Sequence, residues 1–105
     1  MPRISNHELV NSLLVATDQD KVDWQPTARP QEFAASFGGK YTAEVWRGPA
    51  GALLDIKDSE GEMLVRISSE DDNRIPELHD MAKRHALKID DALADLLKEI
   101  NKPKN

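Results

Sequence analysis

The sequence predicts an α+β domain: an N-terminal helix, a small antiparallel β-meander of four to five strands, and a long or broken C-terminal helix packed on one face. Three observations predict it. Apolar residues recur at steps of three and four from Leu9 to Leu14, alternate singly through the middle of the chain, and return to steps of three and four from Leu78 to Ile100. The outer patterns have the helical period and the middle one has the strand period. Strands and helices are segregated rather than alternating, which is the mark of the α+β class.

The first helix is expected over Asn6 to Ala16, with Leu9, Val10, Leu13 and Leu14 on its apolar stripe and Thr17 able to join it. Ser5 is its N-cap, with Glu8 three residues on as the capping-box partner. Asp18, Gln19 and Asp20 end the pattern. A short strand is expected over Val22 to Gln25, closed by Pro26, with Trp24 packed in or at the rim of the core. Phe33, Ala35 and Phe37 alternate, and Gly38-Gly39-Lys40 supplies a turn. Tyr41, Ala43 and Val45 form the inner face of the next strand, which places Trp46 on the opposite face beside Arg47. Gly48 to Gly51 is a turn, Leu53 to Lys57 a strand, Asp58 to Gly61 a hairpin loop, and Met63, Val65 and Ile67 the inner face of the last strand. Ser68 to Asn73 reads as a loop, and Pro76 opens the C-terminal helical segment, where its missing N–H costs nothing. One helix and two helices broken near Lys88 both fit; in the second case Asp90 or Asp91 is the cap. The break is favoured, because a two-layer domain this small offers little for a 25-residue helix to lie on.

At 105 residues the chain has the length of one domain, 1–105, with 1–4 and 101–105 expected to fray. Aromatic residues make up 5%, so the core is mostly aliphatic. There is no cysteine, which excludes disulfides, thiolate metal sites and cysteine nucleophiles. No apolar run approaches the roughly 20 residues a membrane helix needs. Met1 to Ser5 carries one arginine and no hydrophobic segment of the signal-peptide kind, so a soluble, cytoplasmic protein is expected.

The net charge is −5, and the whole imbalance sits between Asp55 and Asp72. That stretch holds Asp55, Asp58, Glu60, Glu62, Glu70, Asp71 and Asp72 against Lys57 and Arg66 only. An acidic chain with no basic run and few aromatics is a poor nucleic-acid ligand. Lys102 and Lys104 read as a solubilising end.

Motifs that carry chemistry fail on inspection. Gly38-Gly39-Lys40-Tyr41 resembles the end of a phosphate-binding loop, yet Ala34 stands where the first glycine belongs and Tyr41 where a serine or threonine belongs. With Gly61 at the sixth position of a calcium loop, the first and twelfth positions fall on Ile56 and Ile67, which offer no side-chain oxygen. His79 and His85 are six residues apart, a spacing that does not bring ligands to one side of a helix. His85 falls on the apolar stripe as a packed core residue, His79 is expected to be exposed, and His7 has no evident partner. No catalytic residue, cofactor or metal is expected, and the chain is read as a non-enzyme.

The succession Leu13-Leu14-Val15-Ala16-Thr17, Val22-Asp23-Trp24, the Asp58 to Gly61 turn, Leu78 with Ala82-Lys83-Arg84, and Asp90, Ala92, Leu93, Leu96 and Leu97 resembles a small uncharacterised bacterial domain. The resemblance spans nearly the whole chain and implies the fold. It implies no catalytic or ligand residue. Where that pattern carries a leucine-tyrosine pair, this chain has Leu78-His79.

A protein-interaction module is therefore expected, with a protein or a second copy of the chain as partner, and neither nucleic acid nor membrane. Trp46, Leu54 and Leu64 are its candidate apolar contacts, since they fall on alternating positions of three neighbouring strands and form a patch if they share a face. Asp58, Glu60 and Glu62 are its candidate charged contacts. The alternative is an acidic neutralising protein, such as an immunity factor, antitoxin or nucleic-acid mimic, that binds a basic partner. A third reading, a ligand groove between the sheet and the C-terminal helix, needs convergent polar groups there.

Overall fold

The computed structural model describes residues 4–103. Its elements are α1 (Asn6–Asp18), β1 (Gln25–Pro26), β2 (Glu32–Phe37), β3 (Tyr41–Gly48), β4 (Gly51–Asp58), β5 (Met63–Ser68), α2 (Ile75–Ala86) and α3 (Ile89–Ile100). The five strands form one antiparallel sheet in the order β1-β2-β3-β4-β5. This is the α+β meander that the residue periods predict. Residues 1–3 and 104–105, where most of the fraying was expected, lie outside the described residues, and Lys104 with them.

Local chemistry sets the element ends. Ser5 Oγ accepts the Glu8 amide at 3.0 Å and caps α1. In the β4–β5 hairpin, Asp58 Oδ1 accepts the amides of Glu60 and Glu62, both at 2.9 Å, and Gly61 takes the positive φ of +84° that the loop requires. The first strand is shorter and later than expected. β1 is only Gln25–Pro26, because pairing begins where Gln25 meets Ala34 and Pro26 meets Phe33. A proline is tolerated there because β1 is an edge strand. Val22 and Trp24 are nonetheless buried in the segment that leads into it.

One face of the sheet carries the core. Phe33, Ala35, Ala43, Val45, Ala52, Leu54 and Ile67 are buried there, and α2 covers them with Ile75, Leu78, His79 and Ala82. α1 packs against α2 and contributes Val10 and Leu13. Trp24 is fully buried, and its indole Nε1 donates to Thr17 Oγ1 at 3.0 Å, while that hydroxyl donates to the Leu13 carbonyl at 2.7 Å. The one polar atom of the largest core side chain is thus satisfied, as burial demands.

The C-terminal segment is two helices, broken at Leu87-Lys88, where Lys88 takes the left-handed conformation at φ +52°. Neither aspartate is the cap. Lys88 occupies that position without a side-chain bond, and Asp90 and Asp91 sit in the first turn, where they face the positive end of the helix dipole. The expected roof is correspondingly half as long. α2 lies on the sheet, but α3 buries no residue, and every position from 90 to 100 is exposed. The molecule measures 66 × 30 × 26 Å, elongated well beyond a compact domain of this size.

Candidate interaction surfaces

The two histidines of α2 exchange their expected places. At 100° per residue, His79 lies about 40° from Ile75 at the centre of the buried face, and His85 about 80° away at its margin. His79 is buried, with Nε2 2.8 Å from the Gln31 carbonyl and its ring 5.5 Å from that of Phe33. Burial pushes its pKa below the usual histidine value, Arg47 and Lys83 push the same way, and the Gln31 carbonyl and Asp80 oppose them. His85 is half-buried, with Nδ1 3.1 Å from Asp20 Oδ1, which ties the end of α2 to the end of α1. His7 also has a partner: its Nδ1 lies 3.0 Å from Arg74 Nη2, and that nitrogen donates to the His7 carbonyl at 3.0 Å and to Asp72 Oδ2 at 2.8 Å. The Arg74 guanidinium holds the Asp72 carboxyl below the usual carboxylate range.

The expected apolar patch does not assemble. Register pairs Trp46 with Leu53, whereas Leu54 pairs with Val45 and Ile67 and is fully buried on the inner face. A shift of one residue along a strand changes the face, so Leu54 is core and Leu53 is the neighbour of Trp46. Leu64 is 55% exposed but stands near the far end of β5, in a bulge between the Ile56–Val65 and Lys57–Met63 pairs. Trp46 itself is half-buried rather than bare. The Arg29 guanidinium sits 5.8 Å over its ring, and the ring lies so close to Gly48 that an added Cβ would meet it at 2.5 Å.

The acidic segment does not form one face. Asp55 holds Arg66 through two bonds of 2.8 and 3.0 Å, Asp72 holds Arg74, and Asp71 Oδ2 accepts the Ser68 amide at 3.1 Å. Across the outer face Lys57 pairs with Glu44 at 2.8 Å, which raises the lysine pKa further. Asp58 is occupied by the hairpin turn, so Glu60 and Glu62 are the carboxylates left at that tip. Glu70 stands at the other end of β5, a six-residue strand and so roughly 20 Å away.

The seam between α2 and the sheet is filled by Leu54, Ile67, Ile75 and Leu78, all fully buried. The depressions on the surface are open and shallow. One lies at the α2–α3 break, lined by Asp20, Arg84, His85, Lys88, Asp90 and Asp91; Arg84 Nη2 donates to Asp90 Oδ1 across it at 2.8 Å. Another lies between the two hairpin tips, beside Lys40, Tyr41 and Asp58. Among the described residues no three His, Asp or Glu side chains come together as metal ligands, and no helix is long and apolar enough to cross a membrane.

The most extended apolar surface is one the sequence assigned to the core. Leu93, Leu96, Leu97 and Ile100 are 45%, 51%, 59% and 65% exposed, and all four belong to α3. Leu87, in the break, adds to them at 47%. A signal for this existed in the residues: a helix of about twelve residues is already about 18 Å long, close to the length of a six-residue strand, so a second helix that continues in its direction runs past the sheet.

Comparison of the chain with protein-family models, with curated proteins and with solved structures finds no significant match to any of them. The likeness to a small bacterial domain therefore stands on the residue pattern alone.

Proposed function

We propose that the chain is a non-enzymatic protein-interaction module and that the apolar stripe of α3 makes the contact. One observation carries this: a twelve-residue amphipathic helix leaves every position from 90 to 100 exposed. Fully burying a leucine or isoleucine side chain is worth about 1.5–3 kcal/mol, so a row of four left in water is a large reserve of binding free energy. A helix of this length is marginal alone in water, and a partner that covers its stripe also stabilises it. The charge of the helix favours a protein over a membrane surface. Asp90, Asp91, Asp95 and Glu99 outnumber Lys98, and anionic headgroups repel such a face. The filled seam under α2 supports the non-enzymatic reading, since a reaction centre needs a pocket with converging polar groups. The acidic-neutraliser alternative has less support, because its carboxylates are paired or divided between two ends of the sheet.

The test compares the full chain with a Leu93→Glu/Leu96→Lys variant. Proteins retained by the first and lost by the second are purified and titrated against both. A partner whose affinity falls at least about tenfold supports the assignment. Equal affinity of both forms for every partner overturns it, as does a variant that unfolds, which would make the stripe a part of the core.

A further inference from the structure

We infer that the occupant of the α3 stripe is a second copy of this chain, docked antiparallel about a two-fold axis level with Ala94 and Asp95. The inference rests on the reading of α3 as the contact surface and adds the partner and its direction. Ile89, half-buried at the break, and the exposed Leu93, Leu96 and Ile100 follow steps of four, three and four, the spacing of a coiled-coil seam. That row is symmetric about its own midpoint. Ile89 stands as far before the midpoint as Ile100 stands after it, and Leu93 and Leu96 are related in the same way. An antiparallel copy therefore sets isoleucine on isoleucine and leucine on leucine, the self-complementarity that a two-fold interface requires.

Charge fixes the direction. In the first turn Arg84 holds Asp90, and at the other end Lys102 holds Glu99, which leaves Asp91 and Lys98 to face a partner. Antiparallel docking about this axis puts Asp91 of each copy level with Lys98 of the other and opposes the two helix dipoles. Parallel docking puts the aspartates of both copies together. The chain's own body offers the stripe no seat beside the break, where Asp20, Arg84, His85, Lys88, Asp90 and Asp91 make the surface charged. The seam is small. A standard interface uses roughly 20–30 residues a side, so four apolar positions per copy give a weak pair that forms only at high protein concentration.

Sedimentation equilibrium of the full chain over a range from about 10 µM to about 1 mM reads this directly. The expected result is monomer at the dilute end and twice the mass at the concentrated end. Leu96→Lys weakens the association at least about tenfold and Leu96→Ala several-fold, while Leu64→Lys, at an exposed leucine outside α3, leaves it unchanged. Near-UV circular dichroism, dominated by the buried Trp24, stays the same in all three and shows that they fold. Because the chain has no cysteine, Asn101→Cys takes a single spin label. In the antiparallel pair the two labels are offset by ~20 Å along the helices, and in a parallel pair they stand side by side. A monomer at every concentration, a dimer indifferent to Leu96→Lys, or adjacent labels each overturn the proposal. A monomer whose Leu96→Lys form loses a captured partner removes only the self-pairing. A monomer that loses nothing removes the contact surface as well.

Discussion

α2 and α3 are consecutive helices of twelve residues each, both amphipathic, separated by two residues, and their fates are opposite. α2 buries Ile75, Leu78, His79 and Ala82 against the sheet. α3 buries nothing. An amphipathic pattern reports that a helix has an apolar face; it does not report what covers that face. The cover is set by geometry: α2 lies on the sheet, whereas α3, past the break, makes its contacts with α2.

The largest effect is expected at Leu78, fully buried between α2 and the sheet: Leu78→Ala costs about 2–5 kcal/mol in urea unfolding, whereas Leu96→Ala in dilute solution changes stability by less than about 0.5 kcal/mol. Comparable losses at the two positions would mean that α3 has a cover in the monomer. Thr17→Val comes next. It strands the Trp24 indole N–H in the core and lowers stability by about 1–3 kcal/mol, with the loss visible in the same unfolding curve.

His79 gives a smaller, pH-dependent effect. Its folded pKa is lowered by burial, so below the unfolded value of about 6.5 the unfolded chain binds the extra proton more readily. Stability from this group is complete above that pH and is lost as pH falls toward the lowered folded value. The slope of stability against pH over this window is expected to flatten in His79→Phe. An unchanged slope would show that His79 is not the group responsible. The smallest effect belongs to the break itself. Lys88→Gly removes the strain of a left-handed lysine and raises stability by up to about 1 kcal/mol.

Much of the fold was legible because local chemistry and long-range packing agree. The Ser5 cap, the Asp58–Gly61 turn, the place of Trp24 in the core and the break near Lys88 are each written in a few adjacent residues. What was not legible depended on phase or on area. Leu54 was assigned to the outer face because neither leucine of the Leu53-Leu54 pair declares its side; only pairing with Val45 and Ile67 does. His79 and His85 both neighbour the stripe, and the addition of Ile75 to the helix turned its centre toward His79. The acidic excess was legible as a number, but its division between the hairpin tip and the loop after β5 required the strand between them. The stripe of α3 is legible as apolar, but counting leucines does not measure the sheet beneath them.

The central claim is that α3 is held by its neighbours far less than α2 and waits for a partner. Amide hydrogen exchange of the full chain, at two protein concentrations well apart, measures this helix by helix. Strong protection is expected across Leu78 to Ala86, weak protection across Leu93 to Ile100 in dilute solution, and a rise confined to α3 as concentration increases. Equal protection of the two helices in dilute solution would contradict it.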